Sequence, residues 1–535
     1  MPRDQGGAQV SRPNHFPWTQ QLLLFAVIFV VLMFLHAPLL RLPYFWDEAG
    51  YYVPAARDLY LSGSLIPRST PSNAHPPLVM AMLAGAWHLA QFSLLVTRTV
   101  MLGFAAFALV GLFRLARFSS NMTVAWAATI LTALYPVFFA QSTLAHVDLP
   151  AAAFTFWGVL AYLEDRPRAQ VVWFSLAALT KETAILAPLA IAVRELLARI
   201  LASRRRELVP PGGRHSGLLA AILPALPLAC WYAYHYVKTG FVLGNPEFLR
   251  YNLTATLSPL RILLAFGLRL WQVFGYLGFW LLTLAAMLAL RRPALVDSGE
   301  PRKRIPIWMQ MIFLAVLVAY LAFMSAVGGA VLARYMLPVT PLIILVLVST
   351  LWRRLRYWRM VVGAVGVVFV AGLFTNPPYG FSPEDNLAYR EYVVLHREAS
   401  VVLAMQYPQA RVLTAWPASD ELTRPWLGYV ARPFSVVRVE DFRAEQVALA
   451  AAAQARFDVV LAFSTKCEPG HSVLEGWRAW QGLKERYFGY HRDLAPEQIA
   501  EELGGRIVFQ KKSQGQWVAV IAMEREKNAQ EFPGQ

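Results

Sequence analysis

The chain has 535 residues, of which 57% are hydrophobic and only 15% charged, and its formal net charge is +16. An average soluble domain carries roughly 25% charged residues, so this composition excludes a protein that is a soluble globule throughout. The positive charge does not indicate nucleic-acid binding, because the arginines and lysines fall in short loops between apolar runs. The sequence therefore predicts a polytopic α-helical membrane protein.

Apolar runs long enough to cross a bilayer recur along the first 375 residues and predict about eleven transmembrane helices. The arginine-rich loops between them all fall on one side, which the positive-inside rule identifies as the cytoplasm. A short cytoplasmic tail at 1–19 is predicted before the first span. The predicted spans are 20–40, 97–117, 122–141, 149–163, 168–180, 183–200, 216–237, 263–290, 307–327, 335–351 and 358–375.

Two adjacent carboxylates, Asp47 and Glu48, follow the first span in the stretch RLPYFWDEAGYY, at the start of a predicted outer loop at 41–96. Ionisable groups near membrane depth are costly, so a pair among aromatic residues is a candidate functional site. A carboxylate in such an apolar rim suits a general base. The alternative is a pair of solvated charges at a helix exit.

The apolar run at 76–95 also has the length of a span, but counting it as one would place every later arginine-rich loop outside. We therefore predict an amphipathic or re-entrant helix in the outer interface, with Trp87 and His88 near the lipid headgroups. His75 stands before two prolines at its start. A rigid turn explains this position more simply than a ligand role does.

Further charged residues interrupt apolar sequence on the predicted outer side. Asp148 begins an apolar helix, where an N-cap is the simpler interpretation. Lys181 and Glu182 separate two short helices, and a hairpin loop that reaches water would be enough to explain them. A lysine at a helix start, however, lies at the positive end of the helix dipole, so a nearby anion explains it better. Arg334 and Tyr335 open a later helix, where an arginine can snorkel or clamp a phosphate. Acids and cations at one face suggest chemistry on a phosphate-bearing lipid.

The last part of the chain, 376–535, has a different composition, with more charge and short β-branched runs between helical segments. These predict a soluble α/β domain on the outer face. Cys230 and Cys467 offer neither a disulfide framework nor metal-ligand spacing. The predicted strands lie in ARVLTAW, PFSVVRV, FDVVLAF, RIVFQKK and WVAVIAM.

The order of these motifs resembles the GT-C superfamily of membrane glycosyltransferases over residues 20 to 350. Within it, the chain is similar to the bacterial branch that contains protein O-mannosyltransferases and the aminoarabinose transferase of lipid A. The turn at His75 lacks the acid and the lysine found in aminoarabinose transferases, so that particular reaction is not implied. The motifs that carry the resemblance are WDEAGYY, HPPL, HVDLP, LTKE and ARYMLPVTP.

The resemblance implies a catalytic membrane domain at 20–375 in a bacterial inner membrane, with its active site outside the cytoplasm. Such an enzyme passes a sugar from a polyprenyl-phosphate donor to a lipid, glycan or protein acceptor, with inversion at the anomeric carbon. By position, Asp47 would be the catalytic base and Glu48 would shape the site. The residues that would bind the donor and its phosphate are Lys181, Arg334, His75, Asp148 and Tyr335.

No resident cofactor is predicted, and a divalent ion bridging Asp148 and His146 is the one metal alternative left open. Two other functions also remain open from the sequence. A transporter or flippase of lipid-linked substrates would use the charges along a translocation path, and a membrane-anchored binding protein would use the outer domain to recruit a partner.

Overall fold

The computed structural model describes residues 17–205, 215–452, 456–467 and 476–523. The predicted cytoplasmic tail at 1–19 lies almost wholly outside these ranges. The first part of the chain is helical and contains α1 (Trp18–Leu35), α2 (Val53–Ser62), α3 (Leu78–Ala90), α4 (Leu94–Ser119), α5 (Met122–Leu134), α6 (Pro136–Gln141), α7 (Asp148–Leu163), α8 (Pro167–Thr180), α9 (Leu186–Arg205), α10 (His215–Ile222), α11 (Ala225–Thr239), α12 (Pro246–Asn252), α13 (Pro259–Phe274), α14 (Phe279–Leu290), α15 (Ile307–Ala326), α16 (Thr340–Arg354) and α17 (Trp358–Phe374).

Five helical segments in the described ranges are long and apolar enough to cross a membrane by themselves: Trp18–Leu35, Leu94–Ser119, Gly217–Thr239, Pro259–Leu290 and Ile307–Ala326. Several shorter apolar helices, among them α5, α7 and α17, pack between or beside them. The structure therefore supports a multi-pass membrane fold, and the number of eleven crossings stays a prediction.

The helix α3, which covers most of the run at 76–95, has 13 residues. At 1.5 Å per residue it is about 20 Å long, shorter than the roughly 30 Å hydrocarbon core. Its position in the interface stays a prediction. The side chain of Trp87 is fully buried within the protein and its indole N–H donates to Thr97 Oγ1 at 3.1 Å, and its depth near the headgroups stays a prediction. His88 is exposed.

Two predicted spans are interrupted by local backbone chemistry. The span at 122–141 is divided into α5 and α6 at Pro136, whose ring removes a backbone donor. The span at 263–290 bends between α13 and α14, where Leu277 and Gly278 take left-handed φ angles of 49° and 86°. The first break directs α6 toward the later site, since Gln141 at its end donates to the Glu384 carbonyl at 3.1 Å.

The C-terminal part is built on a five-stranded mixed sheet in the order β4-β3-β5-β7-β6. The strands β4, β3 and β5 run parallel, whereas β7 is antiparallel to both β5 and β6. Each of the five β-branched runs singled out in the sequence forms one of these strands. The bounds are β3 (Arg411–Ala415), β4 (Ser435–Val439), β5 (Val459–Phe463), β6 (Gly505–Ser513) and β7 (Gln516–Met523), and a separate hairpin pairs β1 (Val296–Asp297) with β2 (Glu300–Pro301).

Helices flank the sheet, and the whole unit contacts the membrane helices directly. Arg261 in α13 donates to the Tyr487 carbonyl at 3.2 Å and, on its other side, to the Gly328 and Gly329 carbonyls at 2.6 and 3.1 Å. One arginine thus joins the sheet domain to the loop after α15. The flanking helices are α18 (Ala388–Gln406), α19 (Ala418–Thr423), α20 (Ala444–Ala451), α21 (Arg478–Phe488) and α22 (Pro496–Leu503).

Candidate active site

A cavity of about 1070 Å³ lies where several interhelical loops, the ends of several membrane helices and the C-terminal sheet meet. Much of its lining is aliphatic or aromatic, and a small number of charged groups converge on it. Asp47, Lys181 and Arg334, three of the residues predicted from the sequence, line it together. Such a concave, mostly apolar site with few polar groups is typical of a substrate pocket.

Arg334 is the centre of the charged cluster. It lies in the 3₁₀ turn Ala333–Met336 between α15 and α16, with a side chain only 2% exposed. Its guanidinium donates to the carboxylates of Asp47 and Glu384, and its Nε lies 3.2 Å from Asp148 Oδ2. The Asp47 side chain is 32% exposed, whereas the other two acids are buried. Asp47 is therefore the acid of this cluster that a ligand in the cavity can reach.

Lys181 forms the second cationic part of the cluster. Its Nζ donates to Asp148 Oδ1 at 2.5 Å and lies 3.9 Å from the centre of the Tyr335 ring. Asp148 is the first residue of α7 but makes no capping hydrogen bond. The interpretation of Asp148 as an N-cap is therefore wrong: its carboxylate binds Lys181 and Arg334, because helix packing brings these cations closer than the local backbone donors. The interpretation of Lys181 as part of a hairpin that only reaches water is also wrong, because its side chain is buried.

Glu48 points away from the cavity although it neighbours Asp47 in the sequence. It is fully buried and pairs with Arg98 in α4. It also accepts hydrogen bonds from the backbone N–H groups of Phe45 at 2.9 Å and Ala145 at 2.5 Å. Glu48 thereby ties the loop that carries Asp47 to α4 and to the loop before α7. This placement favours a positioning role over contact with a substrate.

His75 also lies at the cavity, and its Nδ1 is 2.8 Å from Glu182 Oε2. The histidine thus connects the proline turn to the turn that carries Lys181. It therefore makes a tertiary contact that the interpretation as a rigid turn did not include. The residues that precede two site residues are strained: Trp46 before Asp47 has a φ of 43°, and Ala74 before His75 has a φ of 58°. Left-handed backbone at non-glycine residues is concentrated at functional sites.

Glu384 was not predicted from the sequence as a site residue, although its carboxyl group pairs with Arg334. Burial raises the pKa of its carboxyl to about 8, against the opposing effect of Arg334. Burial, followed by the charge of Arg334, holds the pKa of His146 well below its usual range, so that imidazole is neutral. The one sequence signal was a second adjacent acid pair, Glu384 and Asp385, directly after the last apolar helix.

A metal site can be considered for Asp47, His146 and Glu384, whose ligand atoms lie within 4.8 Å of one another. This set differs from the predicted pair of Asp148 and His146, because Asp148 is bound to Lys181. The Arg334 guanidinium contacts all three members of the set and supplies positive charge at the same place. The side chains around Arg334 therefore do not fit an additional cation in this arrangement, and no step below uses one.

Comparison with known proteins gives a match to one family model over part of the chain and a shared fold. Residues 74–231 match the model of the dolichyl-phosphate-mannose-protein mannosyltransferase family. No curated protein sequence matches the chain significantly.

Among solved structures, ArnT from Cupriavidus metallidurans in the apo state matches with a TM-score of 0.51 and 14% identity, over 94% of this chain and 98% of that one. The same protein bound to undecaprenyl phosphate matches with a TM-score of 0.50 at the same identity and coverage. Archaeal oligosaccharyltransferase AglB from Archaeoglobus fulgidus, in complex with an inhibitory peptide and a dolichol-phosphate, scores 0.43 at 10% identity, over 96% of this chain and 75% of that one.

The match over residues 74–231 and the fold shared over 94% of the chain confirm the resemblance carried by the sequence motifs. This chain is a multi-pass membrane protein that shares its fold with the solved ArnT structures and is similar, over residues 74–231, to the dolichyl-phosphate-mannose-protein mannosyltransferase family.

Proposed function

We propose that the protein is a membrane glycosyltransferase that moves a sugar from a polyprenyl-phosphate donor to a hydroxyl group of an acceptor outside the cytoplasm. One observation carries this proposal. The accessible carboxylate of Asp47 is bound to Arg334, and Lys181 lines the same cavity. A base and two cations at one reacting centre are what the attack of a hydroxyl and the departure of a phosphate require.

The donor side of the cavity is supported by its apolar lining. Leu189 in α9 and Phe323 in α15 line the cavity and are 39% and 40% exposed on the surface of the membrane helices. A polyprenyl chain fits such a surface because it can remain in an apolar environment while its phosphate reaches Lys181 and Arg334. The solved ArnT structure bound to undecaprenyl phosphate supports this class of carrier.

In the proposed reaction the acceptor hydroxyl oxygen attacks the anomeric carbon of the donor sugar. Its proton passes to Asp47 as the new glycosidic bond forms. The bond from the anomeric carbon to the phosphate oxygen breaks, and that oxygen keeps the electron pair as polyprenyl phosphate leaves. Arg334 and Lys181 stabilise the charge on this leaving group. A single displacement of this kind inverts the anomeric configuration.

The distribution of arginines favours an active site on the outer side of the membrane. The Arg334 turn precedes α16, and Arg353 and Arg354 end that helix. Its 15 residues span about 22 Å at 1.5 Å per residue, so the basic end lies far from the cavity. If the basic end is cytoplasmic, the cavity and the C-terminal domain at 376–535 face the periplasmic or extracellular side of a bacterial inner membrane.

The test is transfer of radiolabelled sugar from a polyprenyl-phosphate pool, with membranes that contain equal amounts of folded wild type, Asp47→Asn or Glu300→Gln. Glu300 is an exposed acid in the β1-β2 hairpin and serves as the matched control. We expect label to reach an acceptor with the wild type and the control but not with Asp47→Asn. Equal transfer by Asp47→Asn would exclude Asp47 as the base. Movement of intact labelled donor between leaflets without transfer would instead favour a flippase.

A further inference from the structure

We propose that the carboxyl edge of the C-terminal sheet forms an acceptor subsite for a saccharide that bears an anionic group, with Trp416 and Lys466 as its principal contacts. This inference rests on the proposed glycosyl transfer and names the class of acceptor. The anionic group is a phosphate or a carboxylate, since the same ammonium group binds either.

The sheet topology brings these residues to one edge. The strands β3 and β5 are parallel neighbours, with Val412 paired to Val459 and Leu413 to Val460. Trp416 directly follows β3, and Lys466 lies shortly after β5. In open α/β sheets, ligands bind outside the carboxyl ends of the strands. Here both residues line the cavity that also contains Asp47, so the usual ligand edge of the sheet forms part of the active-site wall.

Trp416 lies close to the candidate base. Its ring packs edge-on against Trp46 with a centroid distance of 5.4 Å, and Trp46 directly precedes Asp47. The side chain packs so closely on Gly50 that a Cβ at that position would lie 2.5 Å from Trp416 Cζ2. Yet the residue keeps 38% of its surface exposed. An indole held rigidly and left exposed in a cavity offers an apolar face for the C–H groups of a sugar ring.

Lys466 differs from the other cations of the cavity. Arg334 and Lys181 are bound to carboxylates. The Nζ of Lys466 instead donates to the His491 carbonyl at 2.9 Å and lies 4.6 Å from the centre of the Tyr490 ring. Among the described residues no carboxylate lies within ion-pair distance of Lys466, and Asp493 and Asp441 act on its charge from farther away. An ammonium group has three donors, so Lys466 retains capacity for an anionic ligand.

The two contacts together define the subsite. Leu189 and Phe323 supply the aliphatic surface suited to the prenyl chain of the donor, whereas the sheet edge supplies an aromatic ring and a cation. A saccharide stacked on Trp416 would lie beside Trp46 and could present a hydroxyl to Asp47. The ammonium of Lys466 would select acceptors in which an anionic group accompanies that hydroxyl.

The test uses the purified full chain in nanodiscs and isothermal titration with four probes: N-acetylglucosamine 1-phosphate, trigalacturonic acid, neutral tri-N-acetylchitotriose and inorganic phosphate. At least one of the two anionic saccharides is expected to bind more tightly than the neutral trimer. Lys466→Ala should weaken that binding about tenfold or more, because it removes a charge-assisted hydrogen bond to the ligand. Trp416→Ala should weaken it as well. The exposed residues Lys512 and Trp477 supply matched controls, Lys512→Ala and Trp477→Ala, which should bind as the wild type does.

Gly50→Ala gives a second variant, in which Trp416 and Lys466 are both retained but the added methyl group displaces the Trp416 ring. It should reproduce the loss of Trp416→Ala while leaving undecaprenyl-phosphate binding unchanged. Binding of only the sugar phosphate would identify a phosphate-bearing acceptor, and binding of only trigalacturonic acid a uronate-bearing one.

Three results would overturn the subsite: no binding of either anionic saccharide, equal binding by Lys466→Ala and the wild type, or binding of inorganic phosphate as tight as that of the saccharides and indifferent to Trp416. These binding measurements are independent of turnover. Intact saccharide binding with no sugar transfer by the wild type would therefore refute the proposed reaction and not the subsite.

Discussion

The two adjacent acids after the first helix should respond differently to neutralisation, and Glu48→Gln is the sharper test. This change leaves the Arg98 guanidinium, which is 1% exposed, without its carboxylate partner. The two Glu48 carboxylate oxygens accept hydrogen bonds from the backbone N–H groups of Phe45 and Ala145, and the Gln side chain replaces one of these acceptors by an NH₂ donor. Removing one partner of a buried ion pair costs about 3–5 kcal/mol. Each kcal/mol lowers Tm by roughly 2–4 °C in domains of about 150–250 residues.

We therefore expect Glu48→Gln to lower the Tm of the purified protein in nanodiscs by roughly 5–10 °C, since this chain is larger than those domains. Scanning fluorimetry at a fixed heating rate measures the shift, with the exposed Glu300→Gln as control. The double variant Glu48→Gln/Arg98→Met should recover part of the loss, because it removes the unpaired charge. This account of the pair would be refuted if Glu48→Gln had the Tm of the wild type. It would also be refuted if the double variant lost more Tm than the two single variants lose when their losses are added.

Three further outcomes follow from the site. Burial raises the pKa of Glu384 from its usual 4.5 to about 8. The protonated carboxyl group therefore stabilises the folded protein, and this contribution is complete below a pH of about 4.5 and is lost as the pH rises through about 8. Glu384→Gln should flatten the dependence of Tm on pH between about pH 5 and about pH 9. Tyr335→Phe keeps the ring under Lys181 and should transfer sugar at the wild-type rate, whereas Tyr335→Leu should lower kcat about five- to tenfold in the same transfer assay. His75→Gln replaces the imidazole that hydrogen-bonds Glu182 and should raise the donor KM severalfold with little change in kcat, and a selective loss of kcat would contradict this positioning role.

That the site residues lie at one face could be predicted, but their pairing could not. Arginines in loops follow a rule that depends on composition, so the amino-acid sequence by itself predicts that Asp148, Lys181 and Arg334 share one face. The bond between Asp148 and Lys181 joins residues that are 33 positions apart and depends on how α7 and α8 pack. Local rules favoured a helix cap for Asp148, and tertiary contacts replaced that role.

Local patterns were reliable where one element decided the outcome. Each β-branched run formed a strand because alternation and branching are properties of the run itself. The breaks at Pro136 and Gly278 were missed because hydrophobicity continues across both. Glu384 and Lys466 were missed for a different reason: each follows an element whose direction is set by packing. The acid pair Glu384 and Asp385 marks a charged segment but does not indicate that it returns to Arg334, and Lys466 has no such signal beside it.

The segment that connects the membrane helices to the C-terminal sheet has a consequence for protein engineering. Glu384 binds Arg334, the Asp385 carboxylate accepts a hydrogen bond from the Tyr276 hydroxyl at 2.6 Å, and Asn386 donates to the Gly372 carbonyl at 3.3 Å. A chimaera joined at the compositional boundary near residue 376 would import a foreign connector into the charged cluster. Exchange of the C-terminal domain between homologues should therefore use a junction after Asn386, so that the charged cluster and its connector are inherited from the same parent.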